Sequence, residues 1–303
     1  ISLNKGKTMN SDKITEQQNS ASSRIDEQSV SEILEIINGE DIGVPLAVQK
    51  SLPIIEVFIN ELVLRFRDGG CLFYVGSGTS GRLGVLDAAE CPPTYRTDPE
   101  MVQGIIAGGY DALVRSIEGA EDYLEDGAQV VSDHNITAND TVLGITASSS
   151  TPFVLGTLEE AKKRGALTGL IICNKLPPLE YVDHMISLIV GPEVITGSTR
   201  MKAGTATKLV LNMITTTLMI KLNKTYGNLM VDLKASNKKL WDRGTRIIVH
   251  LTGLDYEDSL QLLKSANGEV KTAIVMKKKN YTYEEGVQLL QSVSGSLKKA
   301  LGE

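Results

Sequence analysis

Between residues 72 and 190 the chain alternates short apolar runs with longer segments of helical periodicity. The runs occupy 72–75, 102–107, 141–146, 170–173 and 185–190. Uninterrupted β-prone stretches of this length suit buried parallel strands, and strands alternating with helices predict an α/β fold with a doubly wound parallel sheet. Upstream, Ile33, Leu34, Ile36 and Ile37 follow Ser29 and Ser31 at helical spacing and predict a helix ending near Gly39. A second helix is predicted over 44–67, split where Pro53 removes a backbone donor. Its Ile54, Val57, Phe58, Leu62 and Leu64 read as core or subunit contacts, as do Met213, Leu218, Met219 and Ile220 further on as core. Residues 1–30, rich in Ser, Asn and Gln, predict a mobile arm. Short helices are predicted over 246–252, 256–266, 269–277 and 282–292, divided by Gly253, Gly268 and Lys279-Asn280. The expected organisation is an arm (1–30), an α/β domain with N-terminal helices (31–240) and a small helical domain (246–303).

Composition narrows the function classes. A net charge of −6 argues against nucleic acid as partner, since binding it needs clustered basic residues that displace counterions. No run of about 18 apolar residues is present to span a bilayer, and the first ten residues lack the apolar centre of a signal peptide. Cys71, Cys91 and Cys173 are odd in number and scattered, which suits a reducing cytoplasm. His134, His184 and His250 are equally scattered, so no metal is expected. A small-molecule ligand fits this balance better than a macromolecule or a membrane.

The candidate chemistry lies in the loops. Doubly wound sheets bind ligands beyond the carboxyl ends of their strands, which favours the loops after Val75 and Thr146. The first reads Gly76-Ser77-Gly78-Thr79-Ser80-Gly81, with Ser80 as cap of a helix that Pro92 and Pro93 end. It matches G-x-G-x-x-G, but no acid follows about 20 residues on, and no Gly-Lys-Ser/Thr completes a nucleotide loop. The second reads Thr146-Ala147-Ser148-Ser149-Ser150-Thr151-Pro152. Hydroxyls and free helix amides can surround a phosphate, or merely cap a helix. A third stretch, Glu193 to Thr205, carries Ser198 or Thr199 as cap and Arg200 and Lys202 in the first turns, and is again either an anion site or a basic helix start. Four acids lie from Glu118 to Glu125, three of them at one-face helical spacing. They read as a solvated face or as a pair of interacting carboxylates.

The stretch GSGTSGRLGVLDAAECPPT, together with GPEVITGSTRMKAGT after the last strand, resembles the sugar isomerase (SIS) phosphosugar-binding domain, and within it the N-acetylmuramic acid 6-phosphate etherases. The second of these motifs is also similar to the glucokinase regulatory protein, and the last helices look like a small UBA-like domain. The resemblance implies a homodimer binding a phosphosugar through Ser77, Thr79, Ser80, Thr146, Ser148, Ser149, Ser150, Thr151, Glu193, Ser198, Thr199 and Lys202. It further implies Glu90 and Glu121 as catalytic acids. One departure stands out: the etherases commonly read Ala-Ser-Gly-Arg-Thr-Pro in the second loop, where this chain has Ser149 for the glycine and Ser150 for the arginine. Serine resists a positive φ, and the loop loses a bidentate donor.

The implied reaction removes D-lactate from C3 of the sugar without a cofactor, by elimination and then water addition. Glu121 is expected to take the C2 proton and Glu90 to protonate the leaving oxygen, each such transfer contributing about 10²–10⁴-fold. The alternative is a regulator that senses a sugar phosphate without chemistry. An aldose–ketose isomerase would need a C1–C2 proton shuttle, for which no suitably flanked histidine is present. An α-helix continuous from Ser80 to Glu90 would set the two roughly 15 Å apart, so either the helix breaks near Gly84 or the phosphate sits on the second loop, with a site shared between subunits favoured.

Overall fold

The computed structural model describes residues 13–303. Five strands, β1 (Leu72–Gly76), β2 (Val102–Ile106), β3 (Thr141–Ile145), β4 (Leu167–Ile172) and β5 (His184–Ser187), form one parallel sheet in the order β2-β1-β3-β4-β5. Leu72 is in register with both Val102 and Thr141, so β1 and β3 end together at Gly76 and Ile145. The predicted strands are all present. The helices are α1 (Val30–Asp41), α2 (Val44–Gln49), α3 (Leu52–Arg67), α4 (Gly78–Tyr95), α5 (Asp111–Val114), α6 (Leu124–Asp133), α7 (Pro152–Lys163) and α8 (Lys202–Lys221), followed by α9 (Lys238–Thr252), α10 (Tyr256–Ser265), α11 (Val270–Lys279), α12 (Tyr283–Ser292) and α13 (Leu297–Leu301).

Alternate residues of each strand face opposite layers, which explains why the runs are apolar throughout. Phe73, Val75, Val142, Leu170 and Ile172 pack with Val130, Phe153, Val154 and Leu158 of α6 and α7. On the other face Tyr74 lies against Gly84 of α4, and Gly169 against Phe58 of α3. The connection from β1 therefore crosses one face and the connection from β3 the other. Their carboxyl ends form the switch point at which such sheets open a crevice.

The chain divides into two compact units, Ile1–Ala89 with Glu100–Ile214 and Glu90–Pro99 with Thr215–Glu303. The division falls inside α8, not between 240 and 246. The second unit has its own core, including Val231, Ile248, Leu263, Val270, Ile274 and Leu297. Its α9 starts eight residues before the predicted 246, because the Asn237 side chain caps it by accepting the Leu240 amide at 3.0 Å. Asp255 and Thr282 cap α10 and α12 in the same way, at the two helix starts that the sequence repeats.

Other expectations need correction. Residues 1–12 of the expected arm lie outside the described residues, but residues 13–28 form three 3₁₀ turns anchored on the first unit. Thr15 is 1% exposed, the Ser22 hydroxyl donates to the Val194 carbonyl at 2.7 Å, and the Asn19 amide donates to Glu40 at 2.7 Å. Polar composition did not mean mobility, because these side chains meet partners far away in sequence. The helix α1 runs past Gly39 to Asp41, held at its start by a Ser29–Glu32 capping box. Met213 and Ile220, expected in the core, are exposed, seven residues apart on the outer face of α8, and Val57 and Leu64 of α3 are exposed too, which removes them from the core but leaves the subunit-contact reading. The helix α4 continues through Pro92 and Pro93 to Tyr95, although each proline lacks the amide proton that would bond the carbonyl four residues before it.

Candidate functional site

In the first loop the helix begins at Gly78, so Ser80 sits in its first turn and is not its cap. The Ser77 carbonyl accepts the Gly81 amide at 3.1 Å, which makes Ser77 the turning residue. A Cβ on Gly81 would lie 2.6 Å from Ile106 and 2.8 Å from the Gly76 carbonyl, so glycine is what lets α4 start tight against the sheet. Thr79 and Ser80 are half-buried beside this turn. The helix is continuous through Gly84, which places the exposed Glu90 roughly 15 Å along the axis from Ser80.

The acidic stretch is not helical. Residues 118–123 form a turn, with Gly119 at φ +76°, that leads into α6. This geometry takes Glu121 to the crevice, where its carboxylate accepts the Ser77 hydroxyl and its main-chain carbonyl accepts the Phe153 amide at 3.0 Å. Glu121 thus ties the first loop to the first turn of α7. Beside it is a cleft of about 290 Å³ lined by Ser77, Arg82, Arg115, Glu118 and Glu121 among others. Arg82 fixes one wall by donating to the carbonyls of Leu113 at 3.0 Å and Arg115 at 3.1 Å. The approach of α6 to α7 is equally close: Thr157 donates to the Gly127 carbonyl at 2.8 Å, and a Cβ on Gly127 would fall 1.9 Å from the Phe153 carbonyl.

The second loop is a compact hydroxyl cluster. Thr146 and Thr151 share a hydrogen bond of 2.8 Å, Thr146 and Ser148 one of 3.3 Å, and Ser150 donates to Ser148 at 3.5 Å. Ser149 has φ +64°, so the backbone keeps the course a glycine would take even though serine occupies it. Its hydroxyl is buried without a hydrogen-bond partner. Pro152, which has no amide proton, opens α7, and the amides of Phe153 and Leu155 are held by the carbonyls of Glu121 and Thr151. From the N-terminal segment, the Lys13 ammonium donates to Ser150 at 2.8 Å.

The third stretch departs from expectation. Glu193 is 1% exposed, and its carboxylate accepts the amides of Lys202 at 3.0 Å and Ala203 at 2.9 Å. The anion at the start of α8 is therefore the protein's own, in the capping place expected of Ser198 or Thr199. Lys202, 3% exposed, is ion-paired with Glu40. Glu193 and Lys202 are thus engaged within the protein, and Ser198 and Thr199 remain half-buried near the surface. Burial raises the Glu193 carboxyl above its ordinary value against the pull of the two amides, whereas the Lys202 hydrogen bond lowers that of Glu40. Burial, and then the charge of Glu193, push the Cys173 thiol up to about 12, which removes it as a nucleophile.

Sequence reasoning missed Lys13 and Asn174. Asn174, 2% exposed, accepts the Thr15 amide at 3.2 Å and donates to the Thr15 hydroxyl at 3.1 Å and the Ala147 carbonyl at 2.9 Å. No local pattern announces contacts 159 residues apart. Among the described residues no group of three or more His, Cys, Asp or Glu side chains is arranged to hold a metal, and no single helix is long and apolar enough to cross a membrane.

Comparison with known proteins bears on this site. The profile described as glucokinase regulatory protein N-terminal SIS domain matches residues 54–162. The chain is 53% identical over 270 residues to an N-acetylmuramic acid 6-phosphate etherase of Clostridium acetobutylicum, covering 89% of each chain. It is 53% identical over 268 residues to one from Salinibacter ruber, covering 88% of this chain and 86% of that one. Similarity to etherase 1 of Bacillus licheniformis is 51% over 267 residues, covering 88% of both.

Proposed function

The chain belongs to the N-acetylmuramic acid 6-phosphate etherase family, a family of carbon–oxygen lyases, and we propose that Glu121 and Glu90 carry the proton transfers of its reaction. The enzyme cleaves the D-lactyl ether of N-acetylmuramic acid 6-phosphate; identity at this level over nearly nine-tenths of the chain does not favour the non-catalytic regulator. The observation that carries the residue assignment is the placement of Glu121, held between two hydroxyl-rich loops by Ser77 and by the Phe153 amide.

In the ring-opened sugar the C2 proton is α to the C1 aldehyde. Glu121 removes it, the C2–H electrons form the C2–C3 double bond, and the C3–O bond breaks. Its electron pair leaves on the lactate oxygen, which Glu90 protonates. Water then adds at C3 and a proton returns to C2, giving N-acetylglucosamine 6-phosphate and D-lactate. The phosphate sits on residues 146–151 and the start of α7. There the unpartnered Ser149 hydroxyl and its neighbouring hydroxyls supply donors, and the helix dipole favours an anion. Ser77, Thr79 and Ser80 frame the sugar.

The enzyme acts in the cytoplasm as a homodimer. Exposed Val57 and Leu64, on one face of α3, support a subunit contact, and each site takes Glu90 from one subunit and Glu121 from the other. Mixing equal amounts of inactive Glu90→Gln and Glu121→Gln subunits then restores about a quarter of the activity, since half the dimers are mixed and each of these has one intact site. Activity that never returns after subunit exchange would remove the shared site. The two roles separate in deuterated water: Glu90→Gln keeps C2 exchange but loses lactate release, whereas Glu121→Gln loses both. The reverse pattern would exchange the assignments.

A further inference from the structure

The second loop carries hydroxyls but no cation of its own. A phosphate monoester near neutral pH holds close to two negative charges. Neutral donors orient its oxygens, and the helix end supplies only about half a positive charge. We propose that Lys13 is the phosphate-binding cation of this enzyme, delivered to the loop by the N-terminal segment. The proposal rests on residues 146–151 being the phosphate site.

Lys13 already touches the loop, donating to the Ser150 hydroxyl at 2.8 Å. Its position is built. Thr15, two residues on, is locked by amide and hydroxyl to Asn174, which also holds the Ala147 carbonyl of the loop. The Thr15 carbonyl accepts the Gly197 amide at 3.2 Å, fixing the segment from its other side. Both Thr15 and Asn174 are almost fully buried, so the backbone from which Lys13 projects is part of the packed unit. An ammonium has three rotatable donors on a four-carbon stem. It can keep one on Ser150 and turn the others to a phosphate on the hydroxyl cluster.

The inference also accounts for the composition of the loop. Ser150 offers the acceptor that Lys13 uses, and residues 146–151 themselves include no Lys or Arg. The charge that the loop lacks is supplied from 137 residues earlier in the chain.

The test uses the full chain with N-acetylmuramic acid 6-phosphate as substrate and inorganic phosphate as competing ligand. Lys13→Met is expected to raise both KM and the phosphate inhibition constant roughly tenfold, the order of one charge-assisted contact, with kcat changing less and an unchanged melting temperature. Lys13→Arg restores most of the affinity, and so does Ser150→Arg added to Lys13→Met, because each returns a cation to the same place. A Lys13→Met enzyme with wild-type KM and phosphate inhibition, alongside a Ser148→Ala enzyme in which both are weakened, overturns the role of Lys13 and leaves the phosphate loop standing. If Ser148→Ala also leaves both constants unchanged, the loop is not the phosphate site and the proposal falls with it.

Discussion

The main-chain carbonyl of Glu121 accepts the Phe153 amide at 3.0 Å, while the side chain of the same residue receives the Ser77 hydroxyl. One residue thereby couples the turn after β1 to the helix start after β3. The proposed base is consequently set by the packing of α6 on α7.

That coupling makes a remote glycine matter. A Cβ at position 127 would lie 1.9 Å from the Phe153 carbonyl, a backbone atom that cannot rotate away. Gly127→Ala is expected to lower stability by about 3 kcal/mol, as overpacking does. Where the protein still folds, displacement of Glu121 lowers kcat about tenfold or more. Denaturant unfolding and steady-state kinetics on the same preparation check both effects, and wild-type values in both would show that α6 and α7 separate freely.

Ser149 combines two costs, a positive φ and a buried hydroxyl without a partner. Ser149→Gly relieves the backbone term and is expected to stabilise the protein by about 1 kcal/mol. Ser149→Ala keeps the strained backbone and is expected to gain less. Both variants raise KM if the hydroxyl serves the phosphate. Thermal unfolding of the two variants side by side separates backbone from side chain.

The Glu40–Lys202 pair gives a signed pH dependence. The Lys202 hydrogen bond, opposed by burial and aided by Asn19, lowers the folded pKa of Glu40. Its contribution is therefore complete above the unfolded carboxylate value and is lost as pH falls through the lowered folded value. Glu193, raised chiefly by burial, acts oppositely: as pH rises from the ordinary carboxylate value through its raised one, the folded state loses stability relative to the unfolded. Glu40→Gln leaves the buried Lys202 ammonium without its counter-charge and should cost about 2 kcal/mol at neutral pH. Melting curves across the acid range should show the gap to wild type closing as pH falls. A gap independent of pH would mean that the pair contributes through shape alone.

The strands and the two hydroxyl loops were legible because each is a local pattern: a run of apolar residues, then glycines and hydroxyls where a backbone must turn. The αL course of the second loop was not legible: serine was expected to resist a positive φ, yet Ser149 adopts one. Nor were the fates of Glu193 and Lys202. The start of α8 does bind an anion, as its dipole requires, but Glu193 fills that position from nine residues upstream, and Lys202 turns to Glu40. Lys13 was hidden for a related reason. Its segment looks like a polar arm until Asn174, distant in sequence, supplies the partner that orders it. The break that the sequence permitted at Gly84 is absent because glycine there serves packing against Tyr74.

The central claim is that Glu121 is the base that removes the C2 proton, and solvent isotope incorporation tests it most directly. In deuterated water the wild-type enzyme should release one D-lactate for each N-acetylglucosamine 6-phosphate formed, with one deuterium at C2 of the product. Glu121→Gln should lose C2 exchange and lactate release together, by about 10²–10⁴-fold, with its fold intact because the side chain is exposed. Exchange at C2 at the wild-type rate in Glu121→Gln would contradict the account.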